Sequence, residues 1–400
     1  MSPNDTPSQP APPVTGAWRP GDDPGQRKFH TVTADRAFRT ESGASLTDVV
    51  VAYETWGALN DAADNAVLLC HALTGDSHAV GDPGPGHPTP GWWDGLVGPG
   101  RYVDTDRWFV VCSNVLGGCQ GSTGPASTDP ATGRPYGSSF PVVTVRDMVR
   151  AQHSLAVGLG IDRWHAVVGG SMGGMQALEW AVMYPDAVAN LVLCSTTAQA
   201  SAQQVAWSHI GRNAITEDAY FSGGDYYDQA EGPHRGLSVA RKAAHVTYRS
   251  DESFTERFGR EMRDQFELTF DTAFEVEHYL DHQGDKLVRR FDANSYIVLN
   301  RAMDYHDVGR GRGGTLPALS RVGARTLVAS ISSDGLYPPA QQIDLHAQLL
   351  AGGVTSEMLE VVAPDGHDGF LTRTDDIGPH VRALIERGPR TADTEEDPHG

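Results

Sequence analysis

The stretch VVGGSMGGMQALEW, residues 167–180, begins as a strand and ends as a helix. At the join stands Ser171, with Gly169 and Gly170 before it and Gly173 and Gly174 after it. A strand that becomes a helix in so few residues forces the corner residue into a strained backbone conformation. The two elements then approach so closely that side chains two before and two after the corner would collide. Glycine at 169 and 173 removes that collision. The pattern G-x-S-x-G between strand and helix is that of a nucleophile elbow, which lifts a hydroxyl clear of the sheet at the positive end of a helix. Glycine-rich strand–helix turns also bind phosphates. GGSMGG, however, lacks the Lys-Ser/Thr ending of a P-loop, and Met172 would sit awkwardly beside a pyrophosphate.

Outward from this corner, β-branched runs alternate with helical patterns. Residues 46–57, 65–73, 107–116, 164–170 and 188–196 read as strands, several of them apolar on both sides. Such strands belong to a mainly parallel sheet with helices on both faces. Residues 145–161 and 173–185 are the crossover helices that parallel strands require. From about 200 to 314 the strand signal disappears and helical segments replace it, ending at the turn GRGRGG (309–314). Strand patterns return at 324–332 and 355–364. The reading is one α/β sheet interrupted by a helical insertion: core residues 27–200 and 315–387, insertion 201–314. The Pro-, Ser- and Gly-rich ends, 1–26 and 388–400, read as disordered tails.

Serine is a poor nucleophile without a base held by an acid. In this architecture both come later in the chain, in the order Ser, Asp, His, from loops after the last strands. LVASISSDGLYPP places Asp334 directly after one returning strand, and LEVVAPDGHDGFL places His367 directly after the next. Asp365 and Asp368 are too near His367 in sequence to reach round to the imidazole as its orienting acid. An oxyanion formed by attack needs two backbone donors. The amide of Met172 is one, and the loop LLCHALTGDSH supplies the other, assigned to Leu73. His71 in that loop is read as fixing the turn.

The formal net charge of −20 argues against a nucleic-acid duplex or an anionic membrane as partner. No secretory signal and no apolar run of membrane-spanning length is visible, so the expected location is the cytoplasm. The four cysteines have no CxxC spacing and are read as buried free thiols. Histidines 71, 78 and 87 have no spacing that suggests a metal site. In GLSVARKAAHVTYR, Leu237, Ala240, Arg241, Ala244 and Tyr248 share one helical face, so Arg241 either snorkels out or meets a buried anion. Val239 and Val246 on the opposite side suggest a helix buried nearly all round.

At this stage esterase, lipase, peptidase and acyltransferase all remain open. HALTGDSH, SNVLGGCQGSTGP, GGSMGGMQALEWA, GLSVARKAAHVTYRS and GHDGFL together resemble the homoserine O-acetyltransferase family, over residues 27–387. The resemblance implies an α/β-hydrolase fold with a helical lid that also forms a homodimer. It implies transfer of an acetyl group from acetyl-CoA, as co-substrate, to the hydroxyl of L-homoserine on the way to methionine, with no permanently bound cofactor. By motif, Ser171 is the nucleophile, His367 the base and Asp334 its orienter. Arg241 meets the substrate carboxylate, Asp368 its ammonium, and Tyr248 is a further carboxylate contact. Rival readings are a succinyl donor, serine as acceptor, and plain ester hydrolysis.

Overall fold

The computed structural model describes residues 10–33, 36–263, 268–270 and 273–387. Its centre is an eight-stranded sheet: β1 (Lys28–Thr31), β2 (Val50–Trp56), β3 (Ala66–Cys70), β4 (Phe109–Ser113), β5 (Trp164–Gly170), β6 (Val188–Cys194), β7 (Arg325–Ile331) and β8 (Ser356–Val361). The spatial order is β1-β2-β4-β3-β5-β6-β7-β8. The two pairings at the β1 end, β1–β2 and β2–β4, are antiparallel and the rest parallel. Each strand run expected from the sequence is present; β1, at the sheet edge, is an addition.

Side chains alternate across the sheet, so each central strand feeds two cores. Leu68, Val167, Leu191 and Val328 face one side, covered by α1 (Val145–Gly158) and α2 (Met172–Met183). Val67, Val168, Val192 and Leu327 face the other, covered by the 93–103 segment and a C-terminal helix, Thr374–Glu386. Between β6 and β7 the described chain is helical: α3 (Ala202–Thr216), α4 (His234–Tyr248), α5 (Asp251–Phe258), α6 (Glu275–Val288), α7 (Ala293–Asp304) and the short α8 (Thr315–Leu319). A third core joins Ile215, Leu237, Leu287 and Tyr296 of these helices to Leu73 and Met172, so the insertion sits directly on the elbow. The buried Glu179 of α2 ties the chain's return to the sheet: its carboxylate accepts from Arg312 Nη2 at 2.8 Å and from Arg146 Nε at 3.1 Å.

Two expectations need correction. Residues 10–26 are not a loose tail throughout. Thr15 donates to Asp292 at 2.8 Å, the Gly16 amide donates to the Phe291 carbonyl and the Trp18 amide to that of Cys119. Polar composition hid this, because the segment is held mostly through backbone atoms. The expected C-terminal tail, 388–400, lies outside the described residues. The second correction concerns α4: Val239 and Val246 are 49% and 47% exposed. The helix is therefore covered on one side only. The four cysteines are buried and unpaired by disulfide, as expected, and among the described residues no helix is long and apolar enough to cross a membrane.

Candidate active site

Strand β5 ends at Gly170, and Ser171 caps α2 with φ 57° and ψ −125°, the left-handed strain that the turn demands. A Cβ on Gly169 would strike the Gly173 carbonyl, and one on Gly173 would strike the Cys70 carbonyl at the end of β3. The Ser171 amide donates to the Cys194 carbonyl at 3.0 Å, and Thr196 Oγ1 donates to the Ser171 carbonyl at 2.8 Å. The corner is thus locked from three strands' ends, with the hydroxyl left at the start of a twelve-residue helix.

Two later loops converge on it. His367 Nδ1 and Asp334 Oδ2 lie 2.8 Å apart, both side chains buried. Asp334 Oδ1 accepts from the Leu336 and Tyr337 amides at 2.9 and 2.8 Å, which fixes the carboxylate's orientation. With Nδ1 so engaged, the other ring nitrogen, Nε2, is the one available for proton exchange; among the described residues it makes no hydrogen bond. The imidazole stacks on Tyr337, centroids 5.0 Å apart, and meets Phe370 edge-on at 5.4 Å. Tyr337 also has the Ser171 hydroxyl as a hydrogen-bonding neighbour, and burial pushes its phenol well up, so it stays protonated. The structure therefore pairs Asp334 with His367 and, through Tyr337, which stacks on the imidazole and shares a hollow with the serine, sets that pair near Ser171. Tyr337 was not recognised in sequence, although it lies three residues after Asp334.

A hollow opens over Ser171, with Leu73 and Tyr337 from the core and Trp207, Ala240, Tyr248 and Tyr296 from the insertion among its walls. Among the described residues neither the Met172 nor the Leu73 amide donates a hydrogen bond, which leaves both free for an oxyanion. His71 accepts from the Val115 amide at Nε2 (3.2 Å), so its Nδ1 carries the proton given to the Ala72 carbonyl (2.8 Å). That network fixes the loop before Leu73, as the sequence reading expected.

Arg241 does not snorkel. Its Nη1 donates to Thr74 Oγ1 at 3.2 Å, its guanidinium lies 5.6 Å from the Tyr248 ring centre, and its Nε is buried without a partner. Asp368 faces the same region, but Arg249 Nε stands 3.4 Å from its Oδ2, a neighbour the sequence did not reveal. Burial raises the Asp368 pKa, opposed by Arg249, His367 and Arg241.

The spacing of His78 and His87 suggested no metal site, yet the fold brings both to Glu54, which the sequence reading did not single out. Glu54, His78 and His87, scattered in sequence, offer ligand-type atoms within 4.8 Å of one another. His78 Nδ1 pairs with Glu54 at 2.9 Å; burial opposes its charge, but Glu54 outweighs that and raises its pKa. His87 Nε2 accepts the Gln26 amide at 3.1 Å, and burial lowers its pKa, so it is neutral and its 3.6 Å approach to Glu54 is no ion pair. The stacked pair clamps the 76–94 loop beside β2, with ring centroids 3.9 Å apart.

A family model described as alpha/beta hydrolase fold matches residues 65–374. Homoserine O-acetyltransferase of Thermobifida fusca is 54% identical over 388 residues, covering 96% of this chain and all of that protein. The crystal structure of homoserine O-acetyltransferase from Bacillus anthracis aligns with TM-score 0.84 at 28% identity, over 91% of this chain and 98% of that one. Esterase E22 aligns with TM-score 0.82 at 29% identity, over 90% and 99%. The architecture is thus shared by transferases and hydrolases alike, and it is the near-full-length identity to the former that places the sequence: the chain belongs to the homoserine O-acetyltransferase family of the α/β-hydrolase fold.

Proposed function

We propose that this protein moves an acetyl group from acetyl-CoA to the hydroxyl of L-homoserine, by double displacement through an acetylated Ser171. In the first step His367 Nε2 takes the Ser171 proton, Oγ attacks the thioester carbonyl, and the Met172 and Leu73 amides hold the oxyanion. The carbon–sulfur bond breaks and the proton passes to the leaving thiolate. In the second step the homoserine hydroxyl attacks the acetyl-serine, His367 takes its proton and returns it to Ser171. Asp334 keeps Nδ1 protonated and so keeps Nε2 basic.

The observation that carries a transferase over an esterase is Arg241: an arginine with a buried, unpartnered Nε on α4, the helix whose Ala240, Ala244 and Tyr248 line the hollow over the nucleophile. An unmatched guanidinium there suits a substrate carboxylate. Asp368, and secondarily Tyr248, complete the amino-acid end. The roofed hollow limits water while positioning raises the acceptor's effective concentration. The insertion is also the surface through which two copies pair: Ile210, Val239 and Val246 present exposed apolar side chains on α3 and α4. The cytoplasm is the proposed location, where acyl-CoA and amino-acid substrates meet.

The test compares acetyl- and succinyl-CoA against homoserine, serine and water. Acetyl transfer to homoserine with a mass increase on Ser171 is expected. Rapid hydrolysis with no acceptor preference would establish an esterase instead.

A further inference from the structure

One residue of the loop after β7 reaches all three members of the triad. The Tyr337 amide donates to Asp334 Oδ1 at 2.8 Å. Its ring lies against the His367 imidazole, with centroids 5.0 Å and planes 27° apart. Its side chain lines the same hollow as Ser171 and has that hydroxyl as a hydrogen-bonding neighbour. The residue is 2% exposed and packs with Val145 of α1 and Met175 of α2. Met175 lies one turn beyond Ser171, and its amide donates to the Ser171 carbonyl at 3.1 Å. The insertion grips the preceding residue, since Gln204 Nε2 of α3 donates to the Leu336 carbonyl at 2.9 Å. Pro338 and Pro339 follow at once and stiffen the backbone past the ring. Buried phenols usually hydrogen-bond to the fixed frame of a protein. Tyr226 and Tyr227 do so, giving their protons to the carboxylate of Asp292. Tyr337 instead faces the oxygen at which bonds form and break.

The two chemical steps ask different things of such a group. A serine oxygen has one proton to donate and two lone-pair sites. When that proton points to His367 Nε2, a lone pair is left for an outside donor. Burial pushes the Tyr337 phenol well up, so at neutral pH it keeps its proton and is that donor. A hydrogen bond given to a nucleophile weakens it slightly, so the first step gains little. In the second step Ser171 Oγ is the leaving group. The acceptor oxygen bonds the acetyl carbon, the Oγ–carbon bond breaks, and its electron pair stays on Oγ. The acceptor's proton passes through His367 Nε2 to that same oxygen. A hydrogen bond to Oγ strengthens as charge gathers there, and only such a difference between ground and transition state speeds a step. We propose that Tyr337 is a fourth catalytic residue, whose hydroxyl donates to Ser171 Oγ and eases its departure from the acetyl group while its ring holds His367 in line. Tyr337 keeps its own proton throughout. The role rests on the acetyl-serine intermediate proposed above and not on the identity of the acceptor.

The test separates the two steps in Tyr337→Phe, which keeps the ring and the amide and removes only the hydroxyl. p-Nitrophenyl acetate acetylates Ser171 without acyl-CoA, and the burst of nitrophenolate reports the first step. Decay of the acetyl-enzyme, followed by intact-protein mass spectrometry with and without homoserine, reports the second. The burst rate should stay within about threefold of wild type while the decay slows about tenfold, the loss expected of one hydrogen bond. Acetyl-enzyme should accordingly build up at steady state. Tyr337→Leu, which also uncovers the imidazole, should slow both steps. Equal slowing of both steps in Tyr337→Phe, or slowing of neither, would overturn the assignment, since a merely structural loss moves the two together. A decay to water that slows in Tyr337→Phe, with homoserine giving no acceleration in the wild type, would support the role of Tyr337 while refuting transfer to homoserine.

Discussion

Replacing Asp334 by Asn isolates the part played by one proton. Asp334 Oδ1 is held by two amide donors, Leu336 at 2.9 Å and Tyr337 at 2.8 Å. An asparagine must put its oxygen there, because its NH2 would face two N–H groups at a cost of about 1–3 kcal/mol each. The NH2 is then forced onto Oδ2's position, 2.8 Å from His367 Nδ1. Nδ1 becomes an acceptor, the ring proton moves to Nε2, and the imidazole loses its basic lone pair toward the serine. The expected loss in kcat is roughly 10⁴-fold, or about 5.4 kcal/mol of transition-state stabilisation. Shape is conserved, so thermal stability should fall by no more than about 2 kcal/mol. Single-turnover acetylation of Ser171, followed by intact-protein mass spectrometry beside a melting curve, separates the two effects. A folded Asp334→Asn enzyme that keeps a tenth or more of wild-type acetylation would refute this account of the tautomer.

Three further outcomes follow from the geometry. Gly173→Ala should yield little folded protein or cost more than about 3 kcal/mol in denaturant titration, since its Cβ would overlap the Cys70 carbonyl, backbone that cannot step aside. Arg241→Ala should raise the homoserine requirement by about 2–5 kcal/mol in kcat/KM, with Arg241→Lys recovering part of it; a change confined to the melting temperature would assign Arg241 a structural role. His245 is buried against Tyr279 and Tyr248, and burial, then Arg241, Arg249 and Lys286, hold its pKa down to about 2. Between that value and about 6.5 the unfolded chain binds a proton the folded one refuses. Stability is therefore full at neutral pH and falls on acidification by up to about 1.4 kcal/mol per unit from this group. His245→Asn should flatten the stability difference between pH 7.5 and 5.5 by about 1–2 kcal/mol; an unchanged slope would rule the group out.

The frame was readable because its signals are local. The glycines around Ser171 answer a steric need within a few residues, and Asp334 and His367 stand out by falling just beyond strands whose apolar runs are unmistakable. What stayed hidden depends on side chains from distant segments. Tyr337 is an ordinary loop tyrosine until His367 stacks on it. Lys286 and Arg290 carry no motif in the sequence, and only the fold brings Arg241 of α4 alongside them. Glu54 gains its meaning only from two histidines in another loop. Periodicity also assigned Val239 and Val246 to a buried face, because an apolar residue has the same spacing in the sequence whether or not the chain covers it.

The route of the chain through the sheet has a consequence for synthesis. Ser171 closes β5 in the first half, whereas Asp334 and His367 follow β7 and β8, beyond the whole helical insertion. A nascent chain therefore carries its alcohol long before its base exists. The reactive group is assembled only after both later loops have been made, which keeps an unfinished molecule from acylating itself while it is still half made.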